Sequence, residues 1–225
     1  DEEVEKTEVS GVVEIPTNLN VSIQTNATKT QYDDVTIENL RGNLVIQNGS
    51  LQLSNSSLGI IGATAKMDAF YKNEGSQKAY FDYKINASEF DIKRAYNEIK
   101  MFREIVTAAE SAEGIVGLNY SIKGVLNNQM EPVMPSLEGS GTLSVKKVKM
   151  KGFKLLNVVS AKTENPDIKD PDISKVDIKS TIKNNIVTIE RFKFKVAGFR
   201  LRFEGQTSLD GKLNLKMRIG LPPLG

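Results

Sequence analysis

The sequence predicts a mainly β, α+β fold: an extended, strongly curved antiparallel sheet of meandering strands, with one long amphipathic helix over about 91–110 and one short helix over about 153–161. Three observations predict it. Apolar residues alternate with polar ones through most of the chain, in runs longer than the usual strand of about five or six residues. Turn residues, above all Asn48-Gly49, separate those runs. Two stretches alone change to three- and four-residue spacing, the stripe of a helix.

Taken in order, the first strands carry Leu19, Val21 and Ile23, then Val35 and Ile37 followed by Leu44 and Ile46, then Leu51 and Leu53. Asn48-Gly49 joins the last two pairs, and both residues tolerate the positive φ of a type I′ hairpin turn. Further strands are expected over Gly59 to Tyr71, Lys78 to Asn86, Gly114 to Leu126, Ser140 to Met150 and Val176 to Ile182. The clearest runs come last: Phe192, Phe194 and Val196; Phe199, Leu201 and Phe203; and Leu213, Leu215, Met217 and Ile219. A loose internal likeness between the segments after Asn48 and after Asn185 fits one sheet extended hairpin by hairpin, rather than two cores.

The long helix rests on Ile92, Ala95, Tyr96, Ile99, Phe102, Val106 and Ala109, with Ser88 and Asp91 at capping-box spacing before it. Such a helix of about 18 residues spans roughly 27 Å and covers several strands spaced about 4.8 Å apart, as a lid or plug. The short helix uses Phe153, Leu156 and Val159 and ends before Asn165-Pro166. Residues 1–8, with five acids and one lysine, read as a linker remnant; 9–220 form one β-rich domain; 221–225, with two prolines, form a tail. The chain reads as a portion of a longer protein whose anchoring segment lies outside it.

Composition narrows the chemistry. With 39% hydrophobic and 26% charged residues the chain has the balance of a folded domain, and no run approaches the roughly 18 to 20 apolar residues of a spanning helix. Histidine and cysteine are both absent, which removes imidazole bases, thiolate nucleophiles, disulfides and the usual zinc and iron–sulfur sites. There is no Gly-Lys-Ser/Thr of a phosphate loop and no Gly-x-Ser-x-Gly elbow, and Gly139-Ser140-Gly141 lacks the third glycine of a dinucleotide loop. Asp167, Asp170 and Asp172 crowd one loop without the ligand series of an EF-hand, so a solvated turn is expected there. Six Asn-x-Ser/Thr sites begin at Asn20, Asn26, Asn48, Asn55, Asn86 and Asn119 and read as an ordinary polar β-surface. No cofactor, metal or catalytic residue is expected; an enzyme built from Asp, Glu, Lys or Tyr alone would need carboxylates converging in a cleft.

Charge is unevenly placed. Residues 1–139 hold 12 Lys and Arg against 20 Asp and Glu; residues 140–225 hold 18 against 8. In the last strands the basic residues alternate with the apolar ones, so Lys193, Lys195, Arg200, Arg202, Lys216 and Arg218 form a basic face opposite Phe192, Phe194, Phe199, Leu201, Phe203, Leu215 and Met217. Nucleic-acid binding needs aromatic platforms on the basic face, and here the phenylalanines lie on the other. The apolar face is either an ordinary core or part of a trough for acyl chains.

The turns and strands Gly42-Asn43-Leu44-Val45-Ile46-Gln47-Asn48-Gly49-Ser50-Leu51-Gln52-Leu53, the helix at 91–110 followed by Glu113-Gly114, Leu137-Glu138-Gly139-Ser140-Gly141-Thr142-Leu143, Glu204-Gly205 and Leu209-Asp210-Gly211-Lys212-Leu213 come in an order that resembles the C-terminal region of AsmA-like proteins, over roughly residues 15–219. The resemblance implies a periplasmic, β-rich body of a Gram-negative envelope protein, anchored in the inner membrane, associated with outer-membrane assembly and with movement of phospholipid along a hydrophobic β-groove. It supplies no binding residues. From periodicity, the lipid-groove candidates are Leu44, Ile46, Leu51, Leu53, Phe192, Phe194, Phe199, Leu201, Phe203, Leu215 and Met217. The expected partners are phospholipid or another acyl-chain lipid and envelope assembly proteins. The competing expectation is a protein-binding scaffold whose sheet edges pair with a partner strand, the apolar face being core.

Overall fold

The computed structural model describes residues 11–32 and 35–220, so the acidic start and the proline tail lie outside the described residues. Eleven strands form one antiparallel sheet in strict sequence order: β1 (Val21–Tyr32), β2 (Val35–Gln47), β3 (Ser50–Ile60), β4 (Ala63–Glu74), β5 (Lys78–Asp91), β6 (Ala112–Leu126), β7 (Glu138–Met150), β8 (Asp172–Lys183), β9 (Ile186–Val196), β10 (Phe199–Ser208) and β11 (Leu213–Gly220). The sheet is not closed, and β1 and β11 are its edges.

Tight turns make most of the connections. Asn48 at φ 52° and Gly49 at φ 71° form the expected hairpin turn between β2 and β3. The expected strand from Gly59 to Tyr71 is instead cut by a turn at Ile61 and Gly62, with φ 47° and 71°. A β-branched residue is costly at positive φ, which is why the sequence hides this turn. Burial of the Ile61 side chain, 9% exposed in the main core, offsets the strain.

Alternation divides the sheet into two unlike faces. On β5, Ala79, Phe81, Tyr83, Ile85 and Ala87 point to the packed side, whereas Tyr80, Asp82, Lys84 and Asn86 are exposed on the other. Register carries this from strand to strand: Phe90, Val116, Val145 and Val176 stand opposite one another in a row across β5 to β8. Directly opposed β-branched and aromatic side chains are the stabilising unit of such a sheet.

Helices cover the centre of the apolar face. The long helix expected over about 91–110 is three short pieces: α1 (Ile92–Glu98), α2 (Lys100–Ile105) and a 3-10 turn (Thr107–Ser111). Ile99, extended at φ −114° and ψ 104°, breaks the axis between the first two, and Val106 breaks it again. Packing explains the breaks. Ile92 and Ala95 of α1 and Phe102 of α2 enter the main core, while Met101 and Ile105 of α2 turn to a second cluster around Tyr71, Phe81 and Leu137. A straight rod presents one stripe and serves one cluster. The carbonyls freed at the break are met by Arg103, whose guanidinium donates to Tyr96 O and Asn97 O at 3.0 and 3.1 Å. The cap also differs from the expected box: Ser88 lies within β5, and Asp91 itself accepts from the Arg94 N–H at 2.9 Å.

The short helix is α3 (Lys154–Thr163), with Leu156 and Val159 buried, and Glu164 ends it in the left-handed conformation. In the loop that follows, Asp170 accepts a hydrogen bond from the Gly152 N–H at 2.9 Å, which ties the two ends of this connection together. Before β1, Val12 and Ile15 pack onto the second cluster. Tyr71 Oη donates to Val13 O at 2.6 Å and Asn73 Oδ1 accepts from the Ile15 N–H, holding that segment over β4.

Candidate functional site: the two faces of the C-terminal strands

Among the groove candidates, each neighbouring group comes together. Leu44 stands opposite Leu53 and Ile46 opposite Leu51, with Ile23 and Val21 of β1 continuing the two rows. At the other end Phe194 faces Leu201, Phe203 faces both Phe192 and Met217, and Leu215 faces Gly205. The Phe192 ring lies 5.7 Å from Phe194 and 5.3 Å from Phe203, centroid to centroid, a tight aromatic group. Gly205 is required beside it, because a Cβ there would meet Asn214 O at 2.5 Å.

Burial separates the candidates in a way that alternation does not. Phe194, Leu201 and Phe203 are sealed in the core, Leu201 wholly so. Leu44, Ile46, Leu51, Leu53, Phe192, Phe199, Leu215 and Met217 are half-buried, and Ile23 and Ile219 are exposed. The apolar face therefore has a covered centre and two partly open flanks, one on β1 to β3 and one on β9 to β11.

The opposite face of β9 to β11 is cationic. Lys193, Lys195, Arg200, Arg202, Lys216 and Arg218 are all exposed. Register aligns like charges: Lys193, Arg202 and Arg218 stand directly opposite one another across three strands, and Lys195 faces Arg200. Like charges at directly opposed positions destabilise a sheet. One acid interrupts the field. Glu204, opposite Lys216, accepts two hydrogen bonds from Arg191, at 3.0 Å from Nε and 3.2 Å from the second guanidinium nitrogen. Those hydrogen bonds hold the Glu204 carboxyl below its ordinary value of 4.5, partial burial opposes them, and Arg218 and Lys216 add to the lowering.

Beside this face the sheet divides, a feature alternation did not reveal. β8 and β9 pair from Ser180 with Ile189 to Lys183 with Ile186, and beyond that point 172–179 and 190–196 are not laddered to each other. Two distortions accompany the split. Glu190 and Arg191 bulge where the β9–β10 register shifts, and Lys175 takes a positive φ of 55°. A cavity of about 420 Å³ occupies the fork, lined by Lys175, Val176, Asp177 and Lys179 of β8 and by Glu190, Arg191, Phe192 and Lys193 of β9. A second, of about 330 Å³, lies on β3 to β5 among Asn55, Ser57, Lys66, Asp68, Lys84 and Asn86.

The fork sets Asp177 and Glu190 among Lys175, Lys179, Arg191 and Lys193, and the second cavity sets Asp68 with Lys66 and Lys84. Among the described residues no three or more acidic side chains are arranged to hold a metal ion. Among the described residues the titratable groups displaced from their ordinary behaviour are surface ion pairs, Asp210, lowered first by its hydrogen bond from Ser208, and Tyr120, whose hydroxyl is pushed up by burial while its 3.0 Å contact with Ser180 Oγ works the other way. No helix among the described residues is long and apolar enough to cross a membrane. Comparison with family models, with curated proteins and with solved structures returns no match.

Proposed function

We propose that this chain is a non-enzymatic, lipid-handling module of the bacterial envelope, of the AsmA-like kind, which shelters phospholipid acyl chains on the apolar face of a curved sheet. The observation that supports this reading is the continuity of that face. It runs past its helical cover on both sides, leaving Ile23, Leu44 and Leu53 at one flank and Phe199, Leu215 and Met217 at the other in partial contact with solvent. Sheltering a chain of roughly 16 carbons gains about 12 kcal/mol relative to water, at about 0.8 kcal/mol per CH₂, so no reactive group is required. In this reading the sheet curls so that the flanks approach, and the broken helices α1 and α2 form a plug that yields to lipid. The module works in the periplasm, tethered to the inner membrane by a segment outside this chain, and assists outer-membrane assembly.

The test is capture of labelled phospholipid by delipidated protein. We expect stoichiometric capture by the parent chain. Phe199→Asp and Met217→Asp place a charge on the half-exposed flank without entering the sealed core, and each should weaken capture by roughly tenfold or more, because a charge set against an acyl chain costs over about 1.4 kcal/mol. Equal capture by parent and variants, all folded by circular dichroism, would sink the reading. Absence of capture by the parent would favour a second function, a scaffold for envelope assembly. Its support is the pair of open edges: the outer sides of β1 and β11 carry no strand partner among the described residues and are open to pairing with a partner strand.

A further inference from the structure

We propose that the outer face of β9 to β11 is a docking surface for anionic phospholipid headgroups, so that the chain rests on a charged bilayer through the side of the sheet opposite its core. This does not depend on acyl-chain capture, which uses the other face.

The register carries the argument. Antiparallel pairing places Lys193, Arg202 and Arg218 in one row and Lys195 with Arg200 in the next, on adjacent strands about 4.8 Å apart. All five side chains are exposed, and among the described residues none has a carboxylate within ion-pair distance. The neighbouring row is balanced differently, since Glu204 is shared between Arg191 and Lys216. A sheet that can place one acid to satisfy its bulge can place others, yet two consecutive rows hold cations alone. Directly opposed like charges weaken the folded sheet, and a multivalent anion laid across them removes that penalty.

The shape of the patch selects the partner. It is a broad, pleated surface rather than a pocket, with cations on three adjacent strands. A bilayer surface supplies phosphates over that area at once, whereas a single small anion meets one or two of these side chains. Bases of a nucleic acid would need aromatic faces among the cations, but Phe192, Phe194 and Phe203 pack on the far side of the sheet.

The experiment is cosedimentation of the protein with vesicles of phosphatidylcholine, and with vesicles of phosphatidylcholine and phosphatidylglycerol in equal parts. Binding is expected to the mixed vesicles and not to the neutral ones, and to weaken as salt is raised. Replacing Lys193, Arg202 and Arg218 together by Gln should lower partitioning on the order of a hundredfold, from about 1 kcal/mol per cation at an anionic surface. Without lipid, the same triple variant should melt no lower than the parent, because repulsion has been removed. Replacing Lys66, Lys72 and Lys84 by Gln makes the same change in net charge on β4 and β5 and should leave partitioning within a few-fold of the parent. Equal binding to neutral vesicles, or equal losses in both triple variants, would overturn the proposal. Tighter binding to duplex DNA than to the mixed vesicles would overturn it in favour of nucleic acid.

Discussion

Glu204 sits among three cations, Arg191, Lys216 and Arg218, and is the acid that keeps the β9 bulge in place. Its folded pKa lies below the ordinary 4.5, so the clamp contributes fully above that value and is lost as pH falls through the lower, folded pKa. A carbon-detected titration of the Glu204 carboxyl should give a midpoint under 4.5, and Arg191→Gln should raise it; a parent midpoint at or above 4.5 refutes the clamp. Leu201 makes a contrasting residue-scale case. Fully buried between Phe194 and Ile219, it should cost about 2–5 kcal/mol when cut to Ala, measured by urea unfolding, whereas Met217→Ala on the flank should cost clearly less. Alternation marks both residues as apolar-face positions. It does not separate the sealed one from the half-exposed one, because Leu201 lies on β10 between two strands whereas Met217 lies on the edge strand β11.

Among the elements, the strands were the most legible and the helical cover the least. Most period-two runs fell on observed strands, because each strand meets one apolar and one polar surface, but the run from Gly59 to Tyr71 was divided between β3 and β4 and Leu19 lies before β1. The break at Ile99 was not legible, since the stripe from Ile92 to Ala109 is continuous and the kink answers to two core clusters that meet only in three dimensions. The fork between β8 and β9 was hidden for a similar reason: bulges at Glu190 and Arg191 leave the alternation on either side intact. This fork makes a prediction about β9 to β11. With only four ladder pairs joining β9 to β8, the three strands should open as a unit. Native-state hydrogen exchange should show amides of 190–203 opening at lower free energy than those of β5 and β6, and uniform protection across the sheet would exclude such a unit.

For the whole molecule, the two faces divide the work. The packed face holds two apolar clusters that run beneath α1, α2, α3 and the segment before β1, and the outer face is wet, with its cations gathered at the C-terminal end. The uneven charge of the sequence, 18 basic against 8 acidic residues after position 139, becomes a surface feature where Lys193, Lys195, Arg200, Arg202, Lys216 and Arg218 fall on the outward positions of β9 to β11. Acyl-chain capture and headgroup docking therefore test opposite sides of one sheet, and the Phe199 and Lys193 variants read them separately.

What the amino-acid sequence determined by itself was local: strand periodicity, the Asn48-Gly49 turn, the short helix near Leu156, and an oily side backed by a basic one. Each follows from backbone geometry acting over a few residues. Tertiary structure alone decided the rest, including the open eleven-strand order, the broken cover, the fork at β8 and β9 and the alignment of Lys193, Arg202 and Arg218. Those depend on register and on which surfaces compete for the same core, and register is a relation between segments far apart in the chain.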